Sequence, residues 1–194
     1  MIRSCLFLSC MAATWFGTSI VSAGIVTGSQ RVGPNGHIYY LLTQNNWSNS
    51  EAEAVGLGGH LATVNDAAEN AWIVSNYSGF GGVSRALWIG LNDVASEGNF
   101  VWSSGQPVVF TKWALGEPNN NLGAEDWAHI FPSTDSRYPG WNDAPDLSNA
   151  FGFVFNGVAE VEVVPEPGTV VLFVSGLGVV FLARRLRDAY RLNR

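Results

Sequence analysis

Two apolar segments, one near each end of the 194-residue chain, limit the folded part of the protein to the residues between them. The first begins with one cation, Arg3, continues as an apolar run through Ile20 and closes on the small residues Ser22 and Ala23. This order is typical of a secretory signal peptide. Because the run is shorter than the roughly 20 residues of a membrane-spanning helix, we interpret residues 1–23 as a cleaved signal peptide rather than a membrane anchor.

The second apolar segment, residues 168–183, lies within a tail that we delimit as residues 164–194. It follows the sequence Val-Pro-Glu-Pro and precedes three closely spaced arginines, Arg184, Arg185 and Arg187. Cations on one flank of an apolar helix stay on the cytoplasmic side of a membrane and leave the preceding residues outside. We therefore expect a transmembrane helix here and export of the preceding domain across the inner membrane. On these residues alone, a permanent membrane helix and a removable signal are both open.

The central region, residues 24–163, is long enough to bury a core without covalent cross-links. The only cysteines, Cys5 and Cys10, lie in the predicted signal peptide, so we expect no disulfide in the mature domain. The formal net charge is −6 and the isoelectric point is about 4.9. An acidic surface without a basic stripe repels a phosphate backbone, which argues against nucleic acid as a partner.

The first half of the central region predicts one strand and two helices. Residues 37–43 are predicted to form a strand because most of their side chains are aromatic or aliphatic. The capping-box spacing of Ser48 and Glu51 predicts the start of the first helix, and Gly58-Gly59 its end. Asp66 and Glu69 predict a second helix that stops near Gly79.

From Ala86 onward, short extended segments separated by turns replace the helical pattern. Strands are predicted at residues 87–91, 100–102, 127–131, 151–155 and 158–163. One strand, two helices and then antiparallel strands joined by long loops predict an α+β domain. Loops as long as residues 105–125 and 131–150 are usually functional or disordered, and their tryptophans, Trp113 and Trp141, favour packed loops.

The two long loops also contain a set of oxygen-bearing side chains. Glu117-Pro118-Asn119 and Glu125-Asp126 lie in or at the end of the first loop, and Asn142-Asp143 lies in the second. Carboxylate and amide oxygens without sulfur or imidazole suit a hard cation such as Ca²⁺. A cis bond before Pro118 would let Glu117 and Asn119 face one point. Each motif alone is also ordinary turn chemistry, so only their combination indicates a shared ion.

A series of markers along the central region resembles the C-type lectin-like domain, in the order found in that family. The markers are Trp47, Gly59-His60-Leu61, Glu69-Asn70, Trp88-Ile89-Gly90-Leu91, Trp102-Ser103, Trp113, Glu117-Pro118-Asn119, Glu125-Asp126 and Trp141-Asn142-Asp143. The resemblance implies the C-type lectin-like fold without its usual disulfides. It also implies that the strand containing Trp88 lies in the core.

The same resemblance implies a primary calcium site made by Glu117, Asn119, Glu125, Asn142 and Asp143. In that family the ion and its ligands bind two neighbouring sugar hydroxyls, and the Glu-Pro-Asn form is associated with mannose, glucose, N-acetylglucosamine or fucose. An auxiliary calcium site would use Asp93, Glu97, Asn120, Glu125 and Asp126. Asn120 stands where some members have an acid, which weakens the case for the second ion.

The tail residues Val164-Pro165-Glu166-Pro167-Gly168, the apolar run and the arginines resemble the PEP-CTERM sorting signal. The resemblance implies recognition and cleavage by an exosortase, with the inner membrane as a transient partner. The processed protein is then expected at the cell surface or in the extracellular matrix, where a glycan or exopolysaccharide would be its ligand.

Two other classes of function are alternatives to calcium-dependent carbohydrate binding. A calcium-independent interaction or extracellular-matrix protein could use the same fold. An enzyme is not expected, because His37, His60 and His129 are isolated and none lies in a recognisable nucleophile motif. Paired acids could suggest glycoside hydrolysis, but the three carboxylates of the primary set are better explained as ion ligands.

Overall fold

A computed structural model describes residues 24–163 of the chain. The predicted signal peptide, residues 1–23, and the apolar run of the tail lie outside the described residues. Within residues 24–163, no helix is both long enough and apolar enough to cross a bilayer.

The described residues form nine strands in one connected sheet and two α-helices. Helix α1 is Trp47–Gly56 and helix α2 is Ala67–Tyr77. The strands are β1 (Arg31–Val32), β2 (Ile38–Gln44), β3 (His60–Leu61), β4 (Ala86–Asn92), β5 (Val101–Trp102), β6 (Trp127–Ile130), β7 (Trp141–Ala144), β8 (Asn149–Ala150) and β9 (Phe153–Val161).

The sheet has the order β1-β2-β9-β4-β6-β7, with β3 and β8 also paired to β9 and β5 paired to β4. The predicted α+β class is confirmed. The sheet is mixed rather than purely antiparallel, because β4 runs parallel to β9, with Ala86 opposite Phe155. The other pairings are antiparallel.

Helix α1 begins two residues earlier than the predicted capping box, because its N-cap is Asn46 and not Ser48. The side chain of Asn46 accepts a hydrogen bond from the backbone N–H of Asn49 at 3.1 Å, so Asn46 is the N-cap. The predicted Ser48 cap is therefore wrong, because Ser48 already lies in the first turn. The Glu51 carboxylate does not cap the helix and instead accepts a hydrogen bond from the N–H of Leu61 at 2.8 Å.

Helix α2 begins as the sequence predicts. Asp66 accepts a hydrogen bond from the N–H of Glu69 at 2.8 Å, as expected for an N-cap. The Glu69 carboxylate reaches one residue further back, to the N–H of Asn65 at 2.8 Å, and also accepts a bond from the Tyr39 hydroxyl at 2.6 Å. The last contact attaches the start of α2 to strand β2.

Strand β4 forms the centre of the core. Its residues from Ala86 to Leu91 are buried, which confirms the expected position of the Trp88 strand. The Trp88 ring stacks on Phe155 of β9 with ring centroids 4.3 Å apart. A side chain at Gly90 would meet the carbonyl oxygen of Leu61 at 2.6 Å, so only glycine allows this approach of the two strands.

Two strand predictions differ from the structure. The segments predicted as 151–155 and 158–163 form the single strand β9, which continues through Gly157. A side chain there would contact Ser50 of α1 at 2.8 Å, so this glycine marks a close approach and not a break. Strand β7 lies within a segment predicted to be a loop, residues 131–150.

Candidate functional site

The two long loops meet beside strand β7. The N–H of Ala114 donates to the Trp141 carbonyl at 2.9 Å, and the N–H of Trp141 donates to the Lys112 carbonyl at 2.8 Å. The first loop therefore runs along β7 like an additional short strand. Trp141 is fully buried, and the ring of Trp113 packs edge to face against it at 5.9 Å. The expectation that these tryptophans anchor ordered loops is confirmed.

Asp143 attaches the turn after Pro118 to strand β7. Its two carboxylate oxygens accept hydrogen bonds from the backbone N–H groups of Asn119, at 3.1 Å, and Asn120, at 2.7 Å. The peptide bond between Glu117 and Pro118 is cis, as proposed from the sequence. Because Asp143 is buried, these bonds position the turn against the sheet.

Glu125 plays a similar part at the other end of the same turn. Its carboxylate accepts a hydrogen bond from the N–H of Asn121 at 2.9 Å, while its own N–H donates to the side-chain oxygen of Asn120 at 3.2 Å. Asn120 has a positive φ of 42°, a conformation that asparagine tolerates better than most residues. Glu125 and Asp143 thus hold the turn from two sides.

Four of the five residues predicted as primary calcium ligands line one open cavity of about 160 Å³. They are Glu117, Asn119, Glu125 and Asn142, and the remaining lining residues are Asn121, Phe131, Arg137 and Phe151. Asp143, the fifth, does not line the cavity, but its carboxylate accepts hydrogen bonds from the backbone N–H groups of Asn119 and Asn120. Residues distant in the sequence are thus brought together.

The carboxylates of the cavity repel one another. Burial, followed by the nearby charge of Asp143, raises the pKa of Glu117, and the guanidinium of Arg137 partly opposes this rise. Burial also raises the pKa of Glu125, with further contributions from Asp143 and Glu117. One guanidinium nitrogen of Arg137 lies 3.6 Å from a Glu117 oxygen. A second positive charge would relieve the repulsion that remains.

The donor set fits Ca²⁺ in its chemistry, since three carboxylates and two amides supply only oxygen ligands. The side chains are not assembled around a single point. Among residues 24–163, no group of three or more His, Cys, Asp or Glu side chains is close enough to hold a metal ion. Instead, the Asn119 amide donates to the Glu117 carboxylate, and the Asn142 amide donates to the Asp143 carbonyl. Calcium would have to displace these two internal bonds.

Two of the residues predicted for an auxiliary calcium site, Asp93 and Asn120, already make hydrogen bonds within the protein. Asp93 is buried, and burial together with the charges of Glu97 and Asp126 raises its pKa. One Asp93 oxygen accepts the N–H of Gly98 at 2.7 Å, and the other has no hydrogen-bond partner among the described residues. The side-chain oxygen of Asn120 is bonded to the backbone of Glu125 instead.

His129 supports the site from the core, a role that the sequence analysis missed. It is fully buried, its Nε2 lies 3.4 Å from the amide nitrogen of Asn142, and its ring packs edge to face against Trp88, Phe131 and Phe155. Burial lowers the pKa of His129 to about 4. The ring is therefore neutral near pH 7 and can accept a hydrogen bond from the Asn142 amide.

Arg137 is the second residue that the sequence analysis missed. Its guanidinium pairs with Asp135 at 2.9 and 3.0 Å and lies 3.9 Å from the centroid of the Phe131 ring. These contacts direct it toward Glu117. The Asp-x-Arg spacing is the only local signal, and it gives no indication of which carboxylate lies opposite.

The sequence and the fold match known proteins. The sequence profile of the Lectin C-type domain matches residues 43–151, and that of the PEP-CTERM protein-sorting motif matches residues 163–187. The chain belongs to the C-type lectin domain family and carries a PEP-CTERM sorting motif.

Individual relatives agree with this assignment. An alpha-N-acetylgalactosamine-specific lectin of Patiria pectinifera is 39% identical over 127 residues, which cover 62% of this chain and 73% of the relative. A C-type lectin mannose-binding isoform of Oxyuranus scutellatus is 32% identical over 114 residues, covering 57% and 71%. The crystal structure of the C-type lectin CEL-I from Cucumaria echinata superposes with a TM-score of 0.59 at 28% identity, over 70% of this chain and 96% of that one.

Proposed function

We propose that residues 24–163 bind a carbohydrate in a calcium-dependent manner at the cavity beside strand β7. The observation that carries the proposal is the meeting of the two long loops, which places Glu117, Asn119, Glu125 and Asn142 around one cavity. Membership of the C-type lectin domain family supports it. The names of the two relatives, one mannose-binding and one specific for N-acetylgalactosamine, support a sugar as the ligand.

The side chains that would hold Ca²⁺ are Glu117, Asn119, Glu125, Asn142 and Asp143. When bound, the ion would supply open coordination positions to two sugar hydroxyls. Each hydroxyl has one donor and two lone pairs, so it can also donate to a carboxylate and accept from an amide. Glu117 and Asn119 are adjacent and form one such acceptor and donor pair. Glu125 and Asn142 would serve the second hydroxyl.

We infer the sugar class from the Glu-Pro-Asn sequence at residues 117–119. In the C-type lectin-like family this form is associated with binding of mannose, glucose, N-acetylglucosamine or fucose. A glycan array read in millimolar calcium, and again with a chelator, tests both the sugar class and the metal. Binding that survives the chelator would contradict calcium dependence.

Two substitutions test the assigned residues directly. Asn119→Asp removes an amide donor, Asn142→Ala removes both amide functions, and we expect each to abolish glycan binding. Asn49→Asp is a matched control, because Asn49 is exposed on α1 and does not line the cavity. Calcium should also raise the unfolding midpoint of the wild-type protein, since a ligand of the native state stabilises it. Glycan binding retained by Asn119→Asp would remove the proposed role of that residue.

A calcium-independent interaction protein is the second candidate function. The observation that favours it is Arg137, which already places one positive charge 3.6 Å from Glu117. A protein of this kind would keep its ligand in the presence of a chelator and show no rise in unfolding midpoint with calcium. In either case the proposed activity is binding and not catalysis.

We propose that the mature protein is exported and reaches the cell surface or extracellular matrix. The PEP-CTERM motif at residues 163–187 supports processing by an exosortase after transient residence in the inner membrane. In a host that processes such signals, deletion of the exosortase should leave the protein in the membrane fraction. Release that is independent of the exosortase would contradict this route.

A further inference from the structure

Phe151 occupies a backbone position that is unfavourable for its side chain. Strands β8 and β9 are joined by the two-residue turn Phe151-Gly152, because Ala150 pairs with Phe153. Both turn residues have positive φ, 52° and 76°, as in a type I′ turn, where Asn-Gly and Gly-Gly are preferred. A bulky residue with positive φ is an outlier. The fold therefore retains a phenylalanine where asparagine would cost less.

Packing does not explain the phenylalanine. Its side chain is 49% exposed, and none of the aromatic pairs found among residues 24–163 includes it. Residues held in sparsely populated backbone conformations cluster at functional sites. The unfavourable backbone conformation of Phe151 therefore indicates that its exposed ring has a functional role.

Phe151 lines the same cavity as Glu117, Asn119, Glu125 and Asn142. Phe131 is the other aromatic residue of that lining, but it is buried and Arg137 covers its ring at 3.9 Å. The ring of Phe151 is consequently the aromatic surface of the cavity that a ligand can reach.

We propose that Phe151 is an apolar platform on which the C–H face of a bound pyranose packs, an inference that rests on the proposed function. A pyranose has hydroxyl groups around its edge and apolar C–H groups on its faces. Carboxylates, amides and an ion can satisfy the hydroxyls, whereas an aromatic ring presents a negative face to polarised C–H groups and removes apolar surface from water. The preferred ligand class is therefore a cyclic sugar with a continuous C–H face. An acyclic polyol offering the same pair of hydroxyls lacks this contact.

The test uses Phe151→Asn, which gives the preferred Asn-Gly turn and removes the ring. The probe is whichever mannose-, N-acetylglucosamine-, fucose- or N-acetylgalactosamine-terminated neoglycoprotein the wild-type protein binds best in millimolar calcium. We expect affinity for this probe to fall about tenfold, with unchanged calcium affinity and a higher unfolding midpoint. Phe151→Tyr keeps the ring and should keep the affinity. The inhibition constant of mannitol, an acyclic polyol, should be equal for the wild-type and Phe151→Asn proteins.

Leu122→Asn is the matched control. Leu122 is also a non-glycine residue with positive φ, 60°, and its side chain is 94% exposed, but it does not line the cavity. This substitution should raise the unfolding midpoint and leave glycan affinity unchanged.

The outcomes separate the two levels of the proposal. Equal glycan affinity of the Phe151→Asn and wild-type proteins would overturn the role of Phe151 and leave the proposed function intact. Loss of calcium affinity in Phe151→Asn, or a loss of glycan affinity in Phe151→Tyr as large as in Phe151→Asn, would also overturn it. A wild-type protein that binds no glycan in calcium would overturn the proposed function and the inference together.

Discussion

The carboxylate of Asp143 accepts a hydrogen bond from the backbone N–H of Asn120 at 2.7 Å. This contact joins strand β7 to the turn that follows Pro118, and a second bond from the N–H of Asn119 reinforces it. Hydrogen bonds to an ionised acceptor are stronger than neutral ones. The turn is therefore fixed to the sheet by a protein side chain as well as by any ion.

Replacing Asp143 should destabilise the metal-free protein. Asp143→Ala removes the acceptor of two backbone N–H groups, and we expect the free energy of unfolding to fall by about 1.5–3 kcal/mol. The measurement is urea unfolding in the presence of a chelator. Asp126→Ala is the control, because Asp126 is only partly buried, and its effect should stay within about 0.5 kcal/mol. Equal free energies of unfolding of the Asp143→Ala and wild-type proteins would show that these two hydrogen bonds do not stabilise the metal-free protein.

Calcium affinity should weaken as the pH falls. Burial and neighbouring carboxylates raise the pKa of Glu117 and of Glu125, and a carboxyl group must lose its proton to bind the ion. Protons therefore compete with calcium at a higher pH than they would for an exposed glutamate. Isothermal titration calorimetry at several pH values between 7.5 and 5 measures this. A constant affinity over that range would contradict the assignment of these ligands.

Removing the charge of Arg137 should strengthen calcium binding. Its guanidinium lies 3.6 Å from Glu117 and would repel a cation bound to that carboxylate. We expect Arg137→Gln to raise calcium affinity about threefold to fivefold, the range expected for a partly exposed charge pair. Arg31→Gln serves as the control, because Arg31 lies against Phe80 and does not line the cavity. Weaker calcium binding by Arg137→Gln would instead mean that Arg137 orients Glu117 for the ion.

His129 should make the protein less stable in mild acid. Its pKa is about 4 in the folded protein and about 6.5 in an unfolded chain. His129 therefore becomes protonated below about pH 6.5 in the unfolded state, but only near pH 4 in the folded state. Stability from this residue is complete above pH 6.5 and is lost as the pH falls toward 4.

Comparison with His129→Phe isolates this effect. Between pH 7 and pH 5, the wild-type free energy of unfolding should fall by about 2 kcal/mol more than that of the variant. The raised pKa of Glu69 gives stability the opposite pH dependence, but this contribution is common to both proteins and cancels in the difference. Parallel pH profiles of the two proteins would show that His129 is not held neutral.

Local sequence signals predicted the parts of the fold that depend on neighbouring residues. Asp66 is predictable as the cap of α2 because its partner, Glu69, lies three positions away. The apolar run around Trp88 predicts a strand, and the family resemblance implies its position in the core. The candidate ligands, such as Glu117 and Asp143, came from motif order, which shows which residue types are present but not what they contact.

The contacts between distant segments were not predictable in this way. Strand β7 is short and polar at Asn142 and Asp143, so its pairing with β6 is visible only in the folded chain. In the sequence, Gly157 indicates a break between two strands. In the structure, the strand continues through it, and the close approach of α1 requires glycine there. Arg137 depends on the course of a long loop, and no spacing in the sequence specifies that it reaches Glu117.

Strand β9 has a consequence for the way this domain acquires its structure. It pairs with β2, β3, β4 and β8, and it ends at Val161, just before the matched sorting motif begins at residue 163. The strand with the most partners is thus the last one of the domain to be synthesised. The sheet cannot be completed before β9 has been synthesised, and pairings between sequence-distant strands slow folding. The folding rate should therefore be set by the encounter of the two ends of the domain.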